Sequence, residues 1–581
     1  MNRREFMVGV AAVAPMMYVP RGMVAEASIA PVPALDVARI KASDFADADL
    51  EMPFALSHFA ELANSMVLAG PDRGFLDLSV WRGANQLKPY NARIMESILT
   101  LAYFYTTPKS WNQYRGNAAL RARLELAMDF WCRSQSSDGK FSEYGPQQWN
   151  LAATSFATKF MSEALRLLKS GPPIAEDVHR RTIDGCRKAI HAVLYDPDLI
   201  AHGKTFSNQY TNIFAGGAAF FKLYPDATLQ AKLSEKVKAA GTELQSPAGY
   251  MYEADGPDLG YTLNTHHENL QMAYTYWRGT PLGDLLVDEE NRFADWLQYN
   301  ALPEPGQNFF VLNRSIETRQ KHATYSYIDT PLAERCELMR AFATTPERRA
   351  AEIRTQREKL ESRWPKVDPL PVGEFSAMSP YLFLQKNSYE WHPSDEQIAQ
   401  AKARVRPLSE KNFVEQRRDT REPIVFTYLR RPNYYAAFAS APKVITKQQR
   451  LGLTLVWTPE SGVLLQSQTA GVETAWGVSK DSVTPTEAAG VAAEYSDGNT
   501  IARYLLDGGG TKTVVFAPDR IRVTIEQPGD FVERVPVFDP ERVISAADRG
   551  VMDQANSPVA DKRFSVVELK GNGKLEYEIR P

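Results

Sequence analysis

The chain has 581 residues, of which 44% are hydrophobic and 24% are charged, and its formal net charge is −3. A length far above the roughly 150 residues of one domain predicts two or more domains, each with its own core. The balanced charge argues against a general nucleic-acid-binding protein. Beyond the N-terminus no apolar run reaches the roughly 18 residues of a membrane span, so we expect a soluble globular protein.

The N-terminal sequence MNRREFMVGVAAVAPMMYVPRGMVAEA is typical of a secretory signal peptide. Two arginines precede Phe6, a short apolar stretch follows at residues 7–19, and the sequence AEA at residues 25–27 fits a cleavage site. The paired arginines resemble the twin-arginine export signal, which carries proteins that are already folded. We therefore expect residues 1–27 to be removed and the mature protein to be periplasmic or secreted.

The next part of the chain is helical. The segments RIMESILTLAYFYTT (93–107) and LRARLELAMDFWCRSQ (120–135) carry apolar residues at helical spacing. The segment WNLAATSFATKFMSEALRLL (149–168) is apolar or small on nearly every side, as in a helix inside a larger assembly. These patterns predict outer amphipathic helices that alternate with buried inner ones.

The alternation repeats further along the chain. An amphipathic helix near residues 175–194 is followed by a predicted loop at 200–211, the apolar TNIFAGGAAFFKLY and the charged LQAKLSEKVKAAGTELQ. The predicted fold is a closed ring of helical hairpins, an α/α toroid. An open helical solenoid is the alternative, although the chain has no strict repeat period of that kind.

The period changes after a predicted solvent-exposed helix at residues 347–364, where the proline-rich segment WPKVDPLPVGEFSAMSP marks a break. Short segments rich in β-branched and aromatic residues then alternate with the turn sequences PESG, DGGG and GNG. Their spacing predicts an antiparallel β-sandwich. We therefore predict a toroid domain at residues 28–372, followed by a linker and β-sandwich domain at residues 373–581.

Four polar loops are predicted to line one mouth of the ring. They hold most of the candidate site residues. In chain order the loops supply Tyr144, Gln147, Trp149 and Asn150; Asn208, Tyr210 and Asn212; Asp255, Tyr261, Asn264, His266, His267 and Glu268; and Arg314, Arg319, His322, Tyr325 and Tyr327.

The third loop, EADGPDLGYTLNTHHENLQ, carries two of the eight histidines of the chain side by side. The run HHE permits a zinc site, but neighbouring histidines point to different faces of a helix, so we predict no metal. The loop is expected to carry out proton chemistry, and no cofactor is needed for it.

Asparagine, tyrosine, histidine and arginine together suit β-elimination on a uronic acid. The C5 proton beside the carboxylate is weakly acidic, so amide or guanidinium donors must stabilise the charge that develops as this proton leaves. A histidine or tyrosine can remove the proton, and a tyrosine can protonate the departing O4 oxygen. Aromatic faces such as that of Trp149 would hold sugar rings.

A helical ring, a β-sandwich and a DG loop followed by tyrosine and histidine resemble the polysaccharide lyases of toroid-plus-sheet architecture, the heparinase II/III, hyaluronate and alginate lyase group. The matching residues are Asp255-Gly256, Tyr261 and His266, and the asparagine of the family best matches Asn208. Pro257 stands where the family has serine. No histidine follows His392, so a histidine donated from the sheet is absent and the proton-transfer residues are expected in the ring.

Together with the predicted signal peptide, the resemblance implies an exported lyase that cleaves an acidic polysaccharide. Asn208 would neutralise the uronate together with Arg314, His266 would be the base and Tyr261 the acid, with Tyr210 and His267 as alternatives. The residues expected to bind substrate are Gln147, Trp149, Asn150, Asn212, Asn264, Arg314, His322 and Tyr325.

Two other functions remain open from the sequence. A glycoside hydrolase on a similar ring would use a pair of carboxyl groups, for which Glu253, Asp255, Asp258 and Glu268 are candidates. A non-catalytic carbohydrate-binding protein would use the aromatic and amide residues without proton transfer. The polysaccharide and the oligomeric state cannot be read from the sequence.

Overall fold

A computed structural model of the chain describes residues 29–78, 87–254, 256–317, 322–370, 375, 378–442, 449–468, 472–480, 484–485, 493–498, 500–506 and 508–581. The predicted signal peptide at residues 1–27 and the predicted boundary between residues 372 and 373 lie outside these residues. Within the described residues, no helix is both long enough and apolar enough to cross a membrane.

The first part of the chain is built from helices, many of them paired as the sequence predicts. In chain order they are α1 (Met52–Asn64), α2 (Ile98–Thr106), α3 (Ala118–Arg133), α4 (Leu151–Ser170), α5 (Glu176–Tyr195), α6 (Pro197–Thr205), α7 (Ser207–Tyr210), α8 (Asn212–Leu223), α9 (Ala227–Glu243), α10 (Leu259–Tyr261), α11 (His267–Trp277), α12 (Pro281–Leu297), α13 (Pro346–Arg363), α14 (Tyr381–Gln385), α15 (Asp395–Lys402) and α16 (Arg406–Ser409).

Inner and outer helices differ in burial as predicted. The inner helices α2, α4, α8 and α11 are buried along most of their length and pack against one another in that order. The outer helices α3, α5, α9 and α12 each expose a polar face and pack behind them. Burying one apolar stripe of each outer helix against an inner helix gives the toroid a continuous core.

The segment predicted as a loop at 200–211 is helical instead, so that prediction is wrong. Helix α6 begins at Pro197, and the Asp196 carboxylate caps it by accepting hydrogen bonds from the main-chain N–H groups of Asp198 at 2.9 Å and Leu199 at 3.1 Å. Proline at the first helical position costs no hydrogen bond, and an acidic cap satisfies the free N–H groups. The short helix α7 follows at once.

The chain returns to the ring after the proline-rich break. In α14 the Phe383 ring lies 4.8 Å from that of Tyr103 in α2, and the Tyr381 ring lies 5.1 Å from that of Phe160 in α4. Residues 378–392 therefore pack against inner helices of the toroid, and they form one wall of a cavity described below.

Short strands in the toroid are β1 (Phe141–Ser142), β2 (Trp149–Asn150), β3 (Ala301–Pro303), β4 (Phe310–Leu312) and β5 (Thr324–Tyr325). The C-terminal part contains β6 (Phe413–Arg418), β7 (Val425–Arg431), β8 (Tyr434–Ser440), β9 (Gly452–Thr458), β10 (Gly462–Gln466), β11 (Gly477–Lys480), β12 (Thr484–Pro485), β13 (Ala493–Ser496), β14 (Ile501–Leu505), β15 (Thr511–Phe516), β16 (Ile521–Val537), β17 (Val543–Ser545), β18 (Arg549–Asp553) and β19 (Ser565–Ile579).

The C-terminal strands are antiparallel, and their hydrogen-bonded order begins β13-β14-β15-β16-β10-β9-β8-β7-β6. Although β8 is far from β14 and β15 in this order, the Phe438 ring lies 6.0 Å from that of Tyr504 and 6.1 Å from that of Phe516. The sheet therefore folds over and packs face to face, which confirms the predicted toroid followed by an antiparallel β-sandwich.

The GNG sequence at residues 571–573 does not form the predicted turn. Strand β19 continues through this sequence without a break. It pairs with β16 from Ser565 opposite Val537 to Ile579 opposite Ile521. The register shifts opposite Gln527 and Asp530, and Gly573 has a φ of 72°. Glycine here allows two long paired strands to bend together, because its left-handed conformation carries no Cβ penalty.

The sandwich also fixes a segment of the toroid that leads to the candidate site. The Asp419 carboxylate accepts hydrogen bonds from the Tyr252 hydroxyl at 2.8 Å and from the Ser246 hydroxyl. The Arg421 guanidinium lies 3.6 Å from the centre of the Tyr252 ring. The main-chain oxygen of Tyr252 in turn accepts from the N–H of Ser207, at 3.1 Å. The β domain therefore holds Tyr252 beside α7.

Candidate active site

The N-terminal ends of three inner helices lie together at one end of the ring. The Ser155 hydroxyl, near the start of α4, donates to the main-chain oxygen of Gln209 at 2.6 Å, just before α8. The Lys159 ammonium, one turn further along α4, donates to Oδ1 of Asn269 at 2.9 Å, in the first turn of α11. The loops that precede α4, α8 and α11 therefore meet at one mouth, as predicted.

Asn208 occupies the centre of this mouth in α7 and is 4% exposed. Its Nδ2 atom donates to both carboxylate oxygens of Glu253, at 2.6 Å each. Its main-chain oxygen accepts from the amides of Asn212 at 2.7 Å and Asn269 at 3.2 Å. The two oxygens of one carboxylate lie close together as seen from the amide nitrogen, so they can share one N–H of Asn208, and its second N–H is then the donor for a ligand.

The adjacent histidines are both buried, and both face carboxylates of α12. His266 ends a π-helical turn, Thr262–His266, in the segment predicted as a loop. Its Nδ1 lies 3.1 Å from the Ser207 hydroxyl and its Nε2 lies 3.9 Å from the Glu289 carboxylate. His267 donates from Nε2 to Glu290 at 2.6 Å. The two residues are 0% and 2% exposed, so they lie beneath the mouth.

Tyr261 differs from the other predicted catalytic residues in being half-buried. It ends the short helix α10, where its main-chain N–H donates to the Asp258 carboxylate at 2.9 Å. Asp258 also forms a β-bridge with Glu317. Of Asn208, Tyr210, Tyr261, His266 and His267, Tyr261 has the side chain that solvent reaches most readily.

Three buried ionisable groups lie near the segment that carries Tyr261. Asp258, Arg314 and Glu317 are each at most 1% exposed. Burial lowers the pKa of the Arg314 guanidinium to about 10. Burial also raises the pKa of Glu317 to about 8; the charge of Asp258 adds to the rise and the charge of Arg314 opposes it. Charged groups with perturbed pKa values mark this side of the mouth as a functional candidate.

The raised pKa of Glu317 predicts a pH-dependent stability. The folded protein keeps a proton on Glu317 up to about pH 8, whereas the unfolded chain loses it near the ordinary value of 4.5, so stability falls as the pH rises between these values. We expect Glu317→Gln to exceed wild type in stability at pH 9, by up to about 5 kcal/mol, and to match it at pH 4. Thermal unfolding at both pH values measures this.

The control is Glu460→Gln at an exposed position of the sandwich. A Glu317→Gln variant whose Tm differs from that of wild type equally at pH 4 and pH 9 would contradict the assignment.

Tyr210 and Asn212 point into the core. Burial raises the pKa of Tyr210, and its ring lies 6.0 Å from that of Phe214 and against Gly203. Asn212 is 0% exposed and holds the main chain of Asn208. The structure therefore places both side chains behind the mouth.

The first loop forms a β1–β2 hairpin that reaches outward. Tyr144 is 60% exposed and Trp149 is 37% exposed, which is unusual for rings of this size. Gln147 is also exposed, with a φ of 58° at the tip. Asn150 instead caps α4, because its Oδ1 accepts from the N–H of Ala153 at 2.8 Å. Exposed rings at the mouth suit stacking against sugars.

Two of the remaining predicted residues, Asn264 and Tyr325, line a cavity of about 580 Å³ beside the histidines. Asn264 is exposed and accepts a hydrogen bond from the Tyr325 hydroxyl at 3.0 Å. The half-buried His322 ring lies 6.0 Å from that of Tyr325. Asp255 and Arg319 lie outside the described residues.

Several supporting residues were missed from the sequence. They are Lys159 and Asn269, which position Asn208, and Glu289 and Glu290, which face the histidines. A lysine within a helix that is apolar on nearly every side was the available signal, because a buried charge requires polar partners. The sequence predicts Glu253 only as a candidate hydrolase carboxyl group, whereas in the structure it binds the Asn208 amide.

The described residues contain no group of three or more histidine, cysteine, aspartate or glutamate side chains that could hold a metal ion. Of the carboxyl groups considered for a hydrolase, Glu253 holds Asn208, Asp258 caps α10 and Glu268 lines the cavity. These carboxyl groups therefore serve three separate local structures.

Neither a scan against protein-family models nor a search of curated proteins finds a match. Solved structures do match. The chain superposes on a mutant of the chondroitin AC lyase of Streptomyces coelicolor A3 with a TM-score of 0.51 and 12% sequence identity, over 93% of this chain and 79% of that chain. This chain has a polysaccharide lyase fold.

Two further solved lyases match at lower TM-scores. A chondroitinase AC lyase studied as oligosaccharide complexes gives 0.48 at 14% identity, over 92% of this chain and 83% of that chain. A heparinase III gives 0.48 at 10% identity, over 94% and 86%. Identities this low establish the fold alone.

Proposed function

We propose that the protein is an exported lyase that cleaves a uronic-acid-containing polysaccharide by β-elimination. One observation carries the proposal: the half-buried Tyr261 lies at the same mouth as Asn208. Glu253 orients the Asn208 amide. The fold supports the proposal, because the chondroitin AC lyase of Streptomyces coelicolor A3 shares it.

Elimination requires two proton transfers and a stabilised carboxylate. The C5–H and C4–O4 bonds break, a C4=C5 double bond forms, and O4 leaves with a proton. Charge spreads onto the uronate carboxylate as the C5 proton departs, and the Asn208 amide is the neutral donor that would receive it. Because Glu253 fixes this amide before substrate binds, little reorganisation is needed.

We assign both proton transfers to Tyr261. When ionised, its oxygen can accept the C5 proton and return it to O4 on the same face of the sugar, so the residue ends the cycle as it began. His266, expected from the sequence to be the base, is 0% exposed and lies beside Ser207. We therefore assign His266 to positioning α7, which carries Asn208.

Export rests on the N-terminal sequence, in which paired arginines precede an apolar stretch and a small-residue cleavage site. Fractionation of cells that produce the full chain tests it. The mature protein is expected in the periplasm or the medium.

The activity is tested by incubating the mature protein with uronate polymers and following the ultraviolet absorbance of the conjugated double bond. We expect the absorbance to rise with at least one polymer of glucuronate or a related uronate. New reducing ends without that absorbance would indicate a glycoside hydrolase. Binding without either signal would indicate a carbohydrate-binding protein.

A further inference from the structure

The proposed proton transfers do not use the cavity beside the adjacent histidines. It has a volume of about 580 Å³ and lies between the start of α11, the segment after β5 and the segment that follows α14. Asn264, three residues after Tyr261, is on its wall, so the cavity adjoins the proposed reaction centre. Its size suits one or two sugar rings.

Two tyrosines on the aromatic side of the cavity are held in place by neighbouring side chains. The Tyr325 hydroxyl donates to Asn264 at 3.0 Å, and the Tyr389 hydroxyl donates to Glu334 at 3.3 Å. The Arg278 guanidinium lies 4.4 Å from the centre of the Tyr389 ring. Trp391 completes this side. Rings fixed before binding lose little conformational freedom when a sugar packs against them.

Glu268 supplies a buried acceptor in the lining of the cavity. The residue is 9% exposed, and within the described residues its Oε2 atom has no hydrogen-bond partner. Its Oε1 atom receives one long hydrogen bond from Gln385, at 3.5 Å. Burial raises the pKa of this carboxyl, and the charge of Lys159 opposes the rise. A buried acceptor of this kind is stabilised by a ligand that donates a hydrogen bond.

We propose that this cavity binds an unsulfated sugar unit next to the cleaved uronate, with a sugar hydroxyl or N–H donating to Glu268 and the ring packing on the aromatic side. The inference rests on the proposed function and specifies its substrate class. The carboxyl group of Glu390 also lines the cavity, as does that of Asp329, which lies 3.3 Å from the Arg349 guanidinium. A sulfate group there would meet the like charge of Glu390.

The first test compares unsulfated chondroitin with chondroitin sulfate as substrates. We expect kcat/KM to be at least about tenfold higher for the unsulfated polymer, with Glu268→Ala raising its KM by about tenfold and changing kcat little. Glu268→Gln keeps one acceptor oxygen and should recover part of the binding. The matched control is Glu304→Gln, a buried carboxyl at the contact between toroid and sandwich that pairs with Lys562.

A second test measures binding without turnover. Tetrasaccharides of unsulfated and sulfated chondroitin are titrated into Tyr261→Phe protein while tryptophan fluorescence is followed. We expect a saturable change with the unsulfated sugar that an added Trp391→Phe substitution abolishes. The sulfated sugar should bind at least about tenfold more weakly.

The two proposals fail separately. A protein that eliminates uronates but whose KM is unaffected by Glu268→Ala, or that prefers sulfated substrates, overturns the cavity assignment and leaves the lyase intact. A protein that eliminates no polymer but shows the Trp391-dependent binding overturns the lyase and leaves the cavity as a saccharide-binding site. The absence of saccharide binding at Trp391 overturns the cavity assignment in either case.

Discussion

A Tyr261→Phe variant is expected to lose about 10³-fold in kcat for uronate elimination while its Tm stays close to that of wild type. The substitution removes one oxygen and keeps the ring and the main-chain hydrogen bond to Asp258. If that oxygen carries the proton from C5 to O4, its loss removes both transfers, whereas the uronate can still bind. We therefore expect KM to change by less than kcat.

The matched control is Tyr114→Phe in the toroid core, where the hydroxyl is buried and has no hydrogen-bond partner among the described residues. That variant should keep wild-type kcat and KM. Product absorbance over a range of pH is the decisive measurement. Nearly full activity in Tyr261→Phe would show that another group moves the proton, and His266→Ala and His267→Ala would then be tested.

The architecture could be predicted because each domain repeats one simple pattern. Helices apolar on nearly every side, such as α4, must be inside, and alternating segments such as β15 must form a half-buried sheet. The wrong predictions lie in segments whose local sequence fits two different structures. A glycine at 573 is equally compatible with a turn and with a bend in a long strand, and only the pairing of β19 with β16 separates the two.

The site was predictable at the level of loops and less so at the level of side chains. Polar residues before α4, α8 and α11 identified the mouth, because inner helices of a ring begin at the same end. Depth could not be read from the sequence: a π-helical turn ends at His266, and both histidines are buried against carboxylates of α12. The partner of Asn208 lies 45 residues away, at Glu253.

Replacing Asn208 by aspartate is expected to reduce kcat/KM by at least about 10²-fold and to lower the Tm. The new carboxylate would face the Glu253 carboxylate in a site where Asn208 is 4% exposed, and two buried like charges destabilise the fold. A uronate entering the mouth would also meet a negative charge in place of an amide donor. Misfolding and loss of the amide donor would each lower activity, so a measurement of activity alone does not separate these two causes.

Exchanging the two groups separates these causes. The double variant Asn208→Asp with Glu253→Gln restores one amide and one carboxylate at the same pair of positions, so a hydrogen bond between them can re-form and the Tm should recover much of its loss. Activity should stay low, because the negative charge now occupies the position that would receive the uronate carboxylate. Product absorbance and Tm measured on both single variants and the double variant give the full cycle. Recovery of activity together with stability would show that Asn208 only holds α7 in place; recovery of stability alone would place residue 208 against the uronate carboxylate, as the donor role requires.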